Sequence, residues 1–249
     1  MAWVSEENRL TVADIYVNCG QDPILTYNRG PCAMGVDVGK DLHVVVGLKP
    51  RDRVLQICFL ARVSSFNDVH DIARRFNVQA AVVDMEPEVR KAREFQAGEE
   101  YPVFLCDYVD TPGASAKWDE ERKAIKVYPT EILDGVHDLF GQTGAIILPR
   151  RNEEVEEYAR EMTNTAKVLE EDPETGSREY RYRKLGPDHF YHATGYFSLA
   201  SEKIWLAEGA LGMQNLPSHY DTEYDLLAPN YGRPREPVTM RDYNPFGHH

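Results

Sequence analysis

Apolar residues run almost unbroken from residue 33 to 38, pause at Gly39-Lys40-Asp41, and resume from 42 to 47 in a stretch rich in valine. Two β-branched runs separated by turn chemistry predict an antiparallel hairpin. Residues 53–63, reached through Lys49-Pro50-Arg51-Asp52, predict a third strand in meander. The period then changes to that of a helix. Ser65 and Asn67 offer caps, and Val69, Ile72, Ala73 and Phe76 share one helical face. Residues 79–84 are a short continuous apolar run between helices, the pattern of a parallel strand buried on both faces. Pro87 suits the first turn of the next helix, which extends to about residue 97, and residues 102–109 predict another strand.

Farther along, residues 117–128 pass from charged to alternating and read as a strand or hairpin arm. Residues 129–140 predict a helix capped by Thr130, with Ile132, Val136 and Leu139 facing inward, and 145–148 a short strand or extended link. Residues 152–170 read as one charged helix whose Glu runs form a solvated face. The turn at 172–177 lies between 167–169 and 179–184, giving a hairpin of alternating Tyr and Arg. A last helix opens at Pro187 or Asp188, with Asp188 in its first turn, where the helix dipole favours negative charge. This divides the chain into a lead-in of residues 1–30 packed on the domain's side, with a short helical pattern at 5–16, a domain of residues 31–208, and a Pro- and Tyr-rich tail of 209–249. The tail has no core of its own and is expected to be poorly ordered. There is no internal repeat.

A length of 249 residues suffices for one large domain or two small ones. No apolar run is long enough to span a bilayer and the first residues do not form a signal peptide, so a soluble intracellular protein without membrane contact, monomeric in isolation, is expected. The four cysteines, Cys19, Cys32, Cys58 and Cys106, contain no CxxC pair, which argues against a zinc site or a disulfide framework and for reduced, buried thiols. A net charge of −13 and a pI near 5.1 count against an autonomous, tight nucleic-acid binder. They leave room for a nuclease with local basic residues, or for a part that borrows affinity from an assembly.

The chemistry lies in where the acids fall. Asp37 stands near the end of a buried strand, where a carboxylate is costly unless its charge is compensated. A metal ion would do so, and so would a turn capped through its own backbone. Asp84 likewise ends a strand, where it reads as metal ligand or strand-end cap, and Asp188 reads as ligand or helix N-cap. Glu86 approaches the same end from a loop, or caps the following helix. His189 and His192 flank Asp188 and read as structural or exposed helix histidines, or as groups that orient water or phosphate, rather than as ligands. Alternation places Arg181 and Arg183 on one face of the late hairpin, beside Lys184, Tyr180 and Tyr182, as the strongest local DNA contact, with an ordinary amphipathic hairpin as the bland alternative. Lys40 reads equally as a phosphate contact or a solvated turn residue.

Three antiparallel strands, a helix, a parallel strand ending in Asp, a further helix and strand, and a late helix opening on Asp resemble the ribonuclease H-like order. The expected fold is therefore α/β, a mixed central sheet of three antiparallel strands followed by parallel ones, flanked by helices. Within that superfamily Met34-Gly-Val-Asp-Val-Gly-Lys-Asp41, Ala81-Val-Val-Asp-Met-Glu-Pro87 and Gly186-Pro-Asp-His-Phe-Tyr-His-Ala193 resemble the C-terminal nuclease domain of phage large terminase subunits. The resemblance spans roughly residues 31–203. It implies metal-dependent cleavage of concatemeric double-stranded DNA in a viral packaging motor, with Asp37, Asp84 and Asp188 as the acidic triad and Asp41 as an additional acid near the metals. It also implies an ATPase domain, a portal and a small terminase subunit as partners, and the cytoplasm of an infected bacterial host as the location. The absence of GxxxxGK[ST] from this sequence fits a nuclease domain without the motor ATPase.

Two divalent ions about 3.5–4 Å apart can activate water and relieve charge on the departing 3′ oxygen. Mg²⁺ or Mn²⁺ suits an all-oxygen set, with Asp37 bridging. Close carboxylates without metal repel, which raises the pKa of at least one. Three alternatives stand beside this reading. A transposase or Holliday-junction resolvase domain would be expected to have a more basic surface. An actin-like or sugar-kinase nucleotide site needs a second glycine-rich loop, which the sequence lacks. A non-catalytic module could dock a portal or motor partner through its acidic face and tail.

Overall fold

The computed structural model describes residues 3–4, 9–109, 115–171, 176 and 178–210, with side chains for all but 3–4 and 205–210. The expected poorly ordered tail therefore lies, from residue 211 onward, outside the described residues, as does the start of the expected helix at 5–16.

The central hairpin and meander form as the apolar runs require. β2 (Cys32–Val38), β3 (Leu42–Arg51) and β4 (Val54–Val63) pair antiparallel, β2 with β3 and β3 with β4. A capping box at Ser65 and Asp68 starts α2 (Phe66–Arg75). The chain then returns through β5 (Val78–Asp84), which pairs parallel to β2. α3 (Val89–Gly98) leads to β6 (Val103–Tyr108), parallel to β5. The arm at 117–128 is a hairpin of β7 (Lys117–Asp119) and β8 (Ala124–Val127), with β8 parallel to β6. α4 (Pro129–Gly141) and β9 (Ile146–Ile147) follow, β9 pairing parallel to β4. The eight strands lie in the order β7-β8-β6-β5-β2-β3-β4-β9, a mixed ribonuclease H-like sheet.

Beyond it, α5 (Glu153–Met162) precedes a three-stranded antiparallel sheet in which β10 (Thr165–Glu171) lies between β11 (Arg178–Lys184) and β1 (Trp3–Val4). The lead-in also supplies α1 (Val12–Tyr16), capped by Thr11 and Asp14, whose Ile15 is fully buried. The last helix is α6 (His189–Ala210). No helix among the described residues is long and apolar enough to cross a membrane.

Four local expectations are corrected. The single helix over 152–170 ends at Met162, because Ala166 and Val168 are buried at strand spacing rather than helical spacing. Pro87 precedes α3, whose N-cap is Glu88. Tyr128, not Thr130, is the N-cap of α4, with Pro129 at its first position, and the Thr130 hydroxyl instead donates to the Tyr180 carbonyl. Asp188 immediately precedes α6 rather than lying in its first turn.

The large sheet separates two cores, and strand parity assigns residues to each. Met34, Val36, Val44, Val46, Ala81 and Val83 face a layer with Val69 and Ile72 of α2, Phe76 just after it, and Phe95 of α3. Ala33, Val45, Ala80, Val82 and Phe104 face the opposite layer, with Phe190, Ala193, Tyr196 and Phe197 of α6 and apolar residues of α4 and α5. The approach of α6 is close. A Cβ on Gly35 would lie 2.1 Å from the Ala193 carbonyl oxygen and 2.2 Å from the Phe197 nitrogen, so only glycine lets the helix backbone rest on β2 there.

Candidate functional site

The same parity carries chemistry to one end of the α6 face. Continuing from Ala33 and Gly35 along β2 reaches Asp37; from Ala80 and Val82 along β5, Asp84; from Val45 back along β3, His43; and from Phe104 and Cys106 along β6, Tyr108. Over these strand ends lies the start of α6, with Asp188 just before it and His189 and His192 in its first two turns. Hairpin register places His43 directly across from Asp37.

Each acid has its own cation or donor. Asp37, 6 % exposed, accepts a hydrogen bond from His189 Nδ1 at 2.7 Å, and this bond raises the imidazole pKa. Asp188, 4 % exposed, pairs with Lys184 Nζ at 2.6 Å and lies 3.7 Å from His192 Nε2. Burial alone would push the Asp188 carboxyl up, but these two partners bring it below its usual value. Among the described residues Asp84 has no such ion pair, and the Glu86 backbone N–H donates to it at 3.1 Å. Burial, and next the negative charge of Asp37, push its pKa up to about 7, against smaller opposing effects of the Glu86 N–H, His192 and Tyr196. The Tyr196 hydroxyl is buried near Asp84 without a partner at hydrogen-bond geometry among the described residues. The Tyr108 hydroxyl shares a 2.8 Å hydrogen bond with His192 Nδ1, so His192 links Tyr108 to Asp188.

Donor chemistry at this end suits a hard divalent cation, since Asp84 and Asp37 repel and a cation would relieve both. Among the described residues, however, the one set of three potential ligands whose atoms all lie within 4.8 Å of one another is Asp37, His43 and His189. Those two rings are stacked, 13° from parallel with centroids 4.6 Å apart. Near-parallel imidazole planes are poorly placed to aim both in-plane lone pairs at one ion, and among the described residues Asp84 and Asp188 belong to no such set.

The other sequence candidates divide. Asp41 lies in the β2–β3 turn and belongs to no such ligand set; its carbonyl accepts from the Gly39 N–H. Lys40 is exposed in that turn, at the rim of a groove of about 840 Å³ bounded by the start of α2 and the length of α3. Arg181 and Arg183 are exposed on β11 but engaged, with Glu179 at 3.1 Å and Glu170 at 2.8 Å. Tyr182 donates to Asp134 at 2.7 Å, and Tyr180 is exposed. Lys184 is exposed and pairs with Asp188.

Four side chains escaped the sequence reading: His43, Tyr108, Glu161 and Tyr196. His43 was accessible from the hairpin, because a three-residue turn at 39–41 sets it opposite Asp37. Glu161 was assigned to a solvated face yet is 7 % exposed. Burial alone would raise its pKa, but His43 and the Phe190 N–H bring it down. Of the cysteines, Cys32, Cys58 and Cys106 are buried free thiols as expected, and Cys19 is half-buried.

The fold and the acids together define a ribonuclease H-like domain with carboxylates grouped at one end of its sheet. No family model matches the chain, and no curated protein matches it in sequence. Solved structures similar to it include the large terminase of the thermophilic bacteriophage D6E in two crystal forms. One has 14 % identity and a TM-score of 0.44 over 76 % of this chain and 44 % of that one. The other has 13 % identity and a TM-score of 0.45 over 74 % and 44 %. The chain thus spans less than half the length of those terminases. The yeast mitochondrial Holliday junction resolvase Ydc2 is also similar, at 10 % identity and a TM-score of 0.32, over 81 % of this chain and 92 % of the resolvase.

Proposed function

We propose that this chain is a divalent-metal-dependent DNA endonuclease domain that cuts concatemeric duplex DNA within a viral packaging motor. The observation that carries the reading is the Asp37–Asp84 pair: two carboxylates brought by strand parity to one sheet end, with burial and then the Asp37 charge pushing Asp84 up to about 7. Asp37, Asp84 and Asp188 would hold the ions, Mg²⁺ or Mn²⁺, with Asp37 shared between two. Bound there, such ions would activate water and stabilise the departing 3′ oxygen. The motor setting, with its ATPase domain, portal and small subunit, rests on the motifs around Asp37, Asp84 and Asp188.

The chain's own residues have separable tasks. His189 and Lys184 neutralise Asp37 and Asp188 in the metal-free protein. His192, held by Tyr108, is fixed in orientation beside Asp188 and can exchange a proton there. Arg181 and Arg183 project from the strand that ends in Lys184 and would hold the duplex backbone once released from Glu179 and Glu170. The net charge of −13 makes that grip weak outside an assembly, so cleavage by the isolated chain is expected at low salt.

The test is cleavage of supercoiled plasmid in EDTA, Mg²⁺, Mn²⁺ or Ca²⁺, by the parent chain and by Asp37→Asn. Nicking and linearisation that need Mg²⁺ or Mn²⁺ and vanish in the variant support the proposal. Cleavage that survives Asp37→Asn, or a folded protein inert under every metal, would move the reading to a docking module.

A further inference from the structure

Glu161 stands in the acidic run of α5, yet its carboxylate is turned inward beneath the candidate site. Oε2 accepts from the backbone N–H of Phe190 at 3.0 Å. That amide belongs to the first turn of α6 and has no partner within its own helix, so Glu161 caps α6 from a different element. Oε1 lies 3.5 Å from His43 Nε2. His43 is 4 % exposed, and neither ring nitrogen has a partner at hydrogen-bond geometry. Its ring stacks on His189 and meets Phe190 edge-on, with centroids 4.9 Å apart. His189 in turn donates to Asp37.

One buried carboxylate thus touches both supports of the site: the helix start that carries Asp188 and His189, and the ring on which His189 rests. A carboxylate needed only for stability could cap the helix without facing a buried imidazole whose other contacts are the site's own histidine and its neighbour. We propose that Glu161 and His43 are a positioning pair that holds the start of α6 and the His189 ring, and through them sets the geometry in which Asp37 and Asp188 receive a divalent ion. This rests on the nuclease reading of the same site. It adds two residues to it, neither of which ligates or touches substrate.

The two contacts can be separated by substitution. Glu161→Gln keeps an oxygen for the Phe190 N–H and removes the charge facing His43; Glu161→Ala removes both. His43→Phe keeps a ring to stack on His189 and removes both nitrogens. Outer-shell partners of metal ligands typically cost 10–100-fold in affinity when removed. Calorimetric titration of the full chain with Mn²⁺ alone is therefore expected to show about a 10-fold loss for Glu161→Gln and for His43→Phe, and a larger loss for Glu161→Ala. In EDTA, Glu161→Gln should melt close to the parent. The double variant Glu161→Gln with His43→Phe should bind no worse than either single, because the two act as one unit.

Parent-like Mn²⁺ affinity in Glu161→Gln and His43→Phe would overturn the proposal and leave the nuclease reading intact. Affinity losses that simply add in the double variant would overturn the coupling of the two residues. A parent chain that binds no Mn²⁺ would overturn both readings. Should Glu161→Ala fail to fold, the other two variants decide the question.

Discussion

Asp84→Asn should stabilise the metal-free protein at alkaline pH, reversing the usual effect of altering a partly buried polar residue. The Asp84 carboxyl is pushed from 3.8 to about 7 on folding, by burial first and then by Asp37. At about 1.36 kcal/mol per pKa unit, ionising it in the folded state costs a ceiling of about 4 kcal/mol. Residual solvent contact at this partly accessible carboxylate reduces the net effect to about 1–3 kcal/mol. The folded state binds the proton more tightly than the unfolded state, so Asp84's contribution is fully present below pH 3.8 and is lost as pH rises through about 7. Asparagine escapes that loss while keeping an oxygen for the Glu86 N–H, which donates at 3.1 Å in the parent. Urea unfolding in EDTA should therefore show variant and parent nearly equal near pH 4, with a gap favouring the variant that widens to about pH 7 and then levels off. Saturating Mn²⁺ should reverse the order, stabilising the parent but not the variant. An Asp84→Asn protein less stable than the parent in EDTA at pH 8 would refute the claim that burial and Asp37 disfavour the ionised form of this carboxylate.

Three further outcomes follow from the packing and charge. Gly35→Ala would place a Cβ 2.1 Å from the Ala193 carbonyl, so α6 must shift; we expect a loss of about 3 kcal/mol or more in urea unfolding, together with weakened Mn²⁺ binding, because Asp188 moves with the helix. Arg181→Ala and Arg183→Ala should each weaken duplex binding without sequence preference and each lower the salt slope by about one, read from fluorescence anisotropy across a salt series. Lys184→Ala should raise the pKa of Asp188, since Lys184 and His192 hold it down against burial, and carboxylate NMR titration in EDTA would show the change.

Much of the fold was legible because parallel strands buried on both faces leave continuous apolar runs, and 33–38 and 79–84 are such runs. The same property concealed the site's layout. A run apolar on both sides does not disclose which parity faces which helix layer, and only the placement of α6 shows that Asp84 and Tyr108 join Asp37 and His43 on one face. Residues 152–170 misled because Glu161 flanks the buried stripe of Val155, Tyr158, Ala159 and Met162 in a helix whose other acids, Glu153, Glu154, Glu156 and Glu157, lie outside that stripe. Its inward turn is set by a backbone amide 29 residues away, which no local pattern encodes. Lys184 is exposed at the end of β11, and its pairing with the nearly buried Asp188 at 2.6 Å depends on how β11 meets the start of α6, which no local pattern encodes.

The most direct measurement is anomalous diffraction from crystals of the chain soaked in Mn²⁺. The account predicts manganese against Asp37, one ion shared with Asp84 and one with Asp188, with His189 released from Asp37. Absence of manganese at Asp37, or an ion held by the His43 and His189 rings in place of the aspartates, would contradict it.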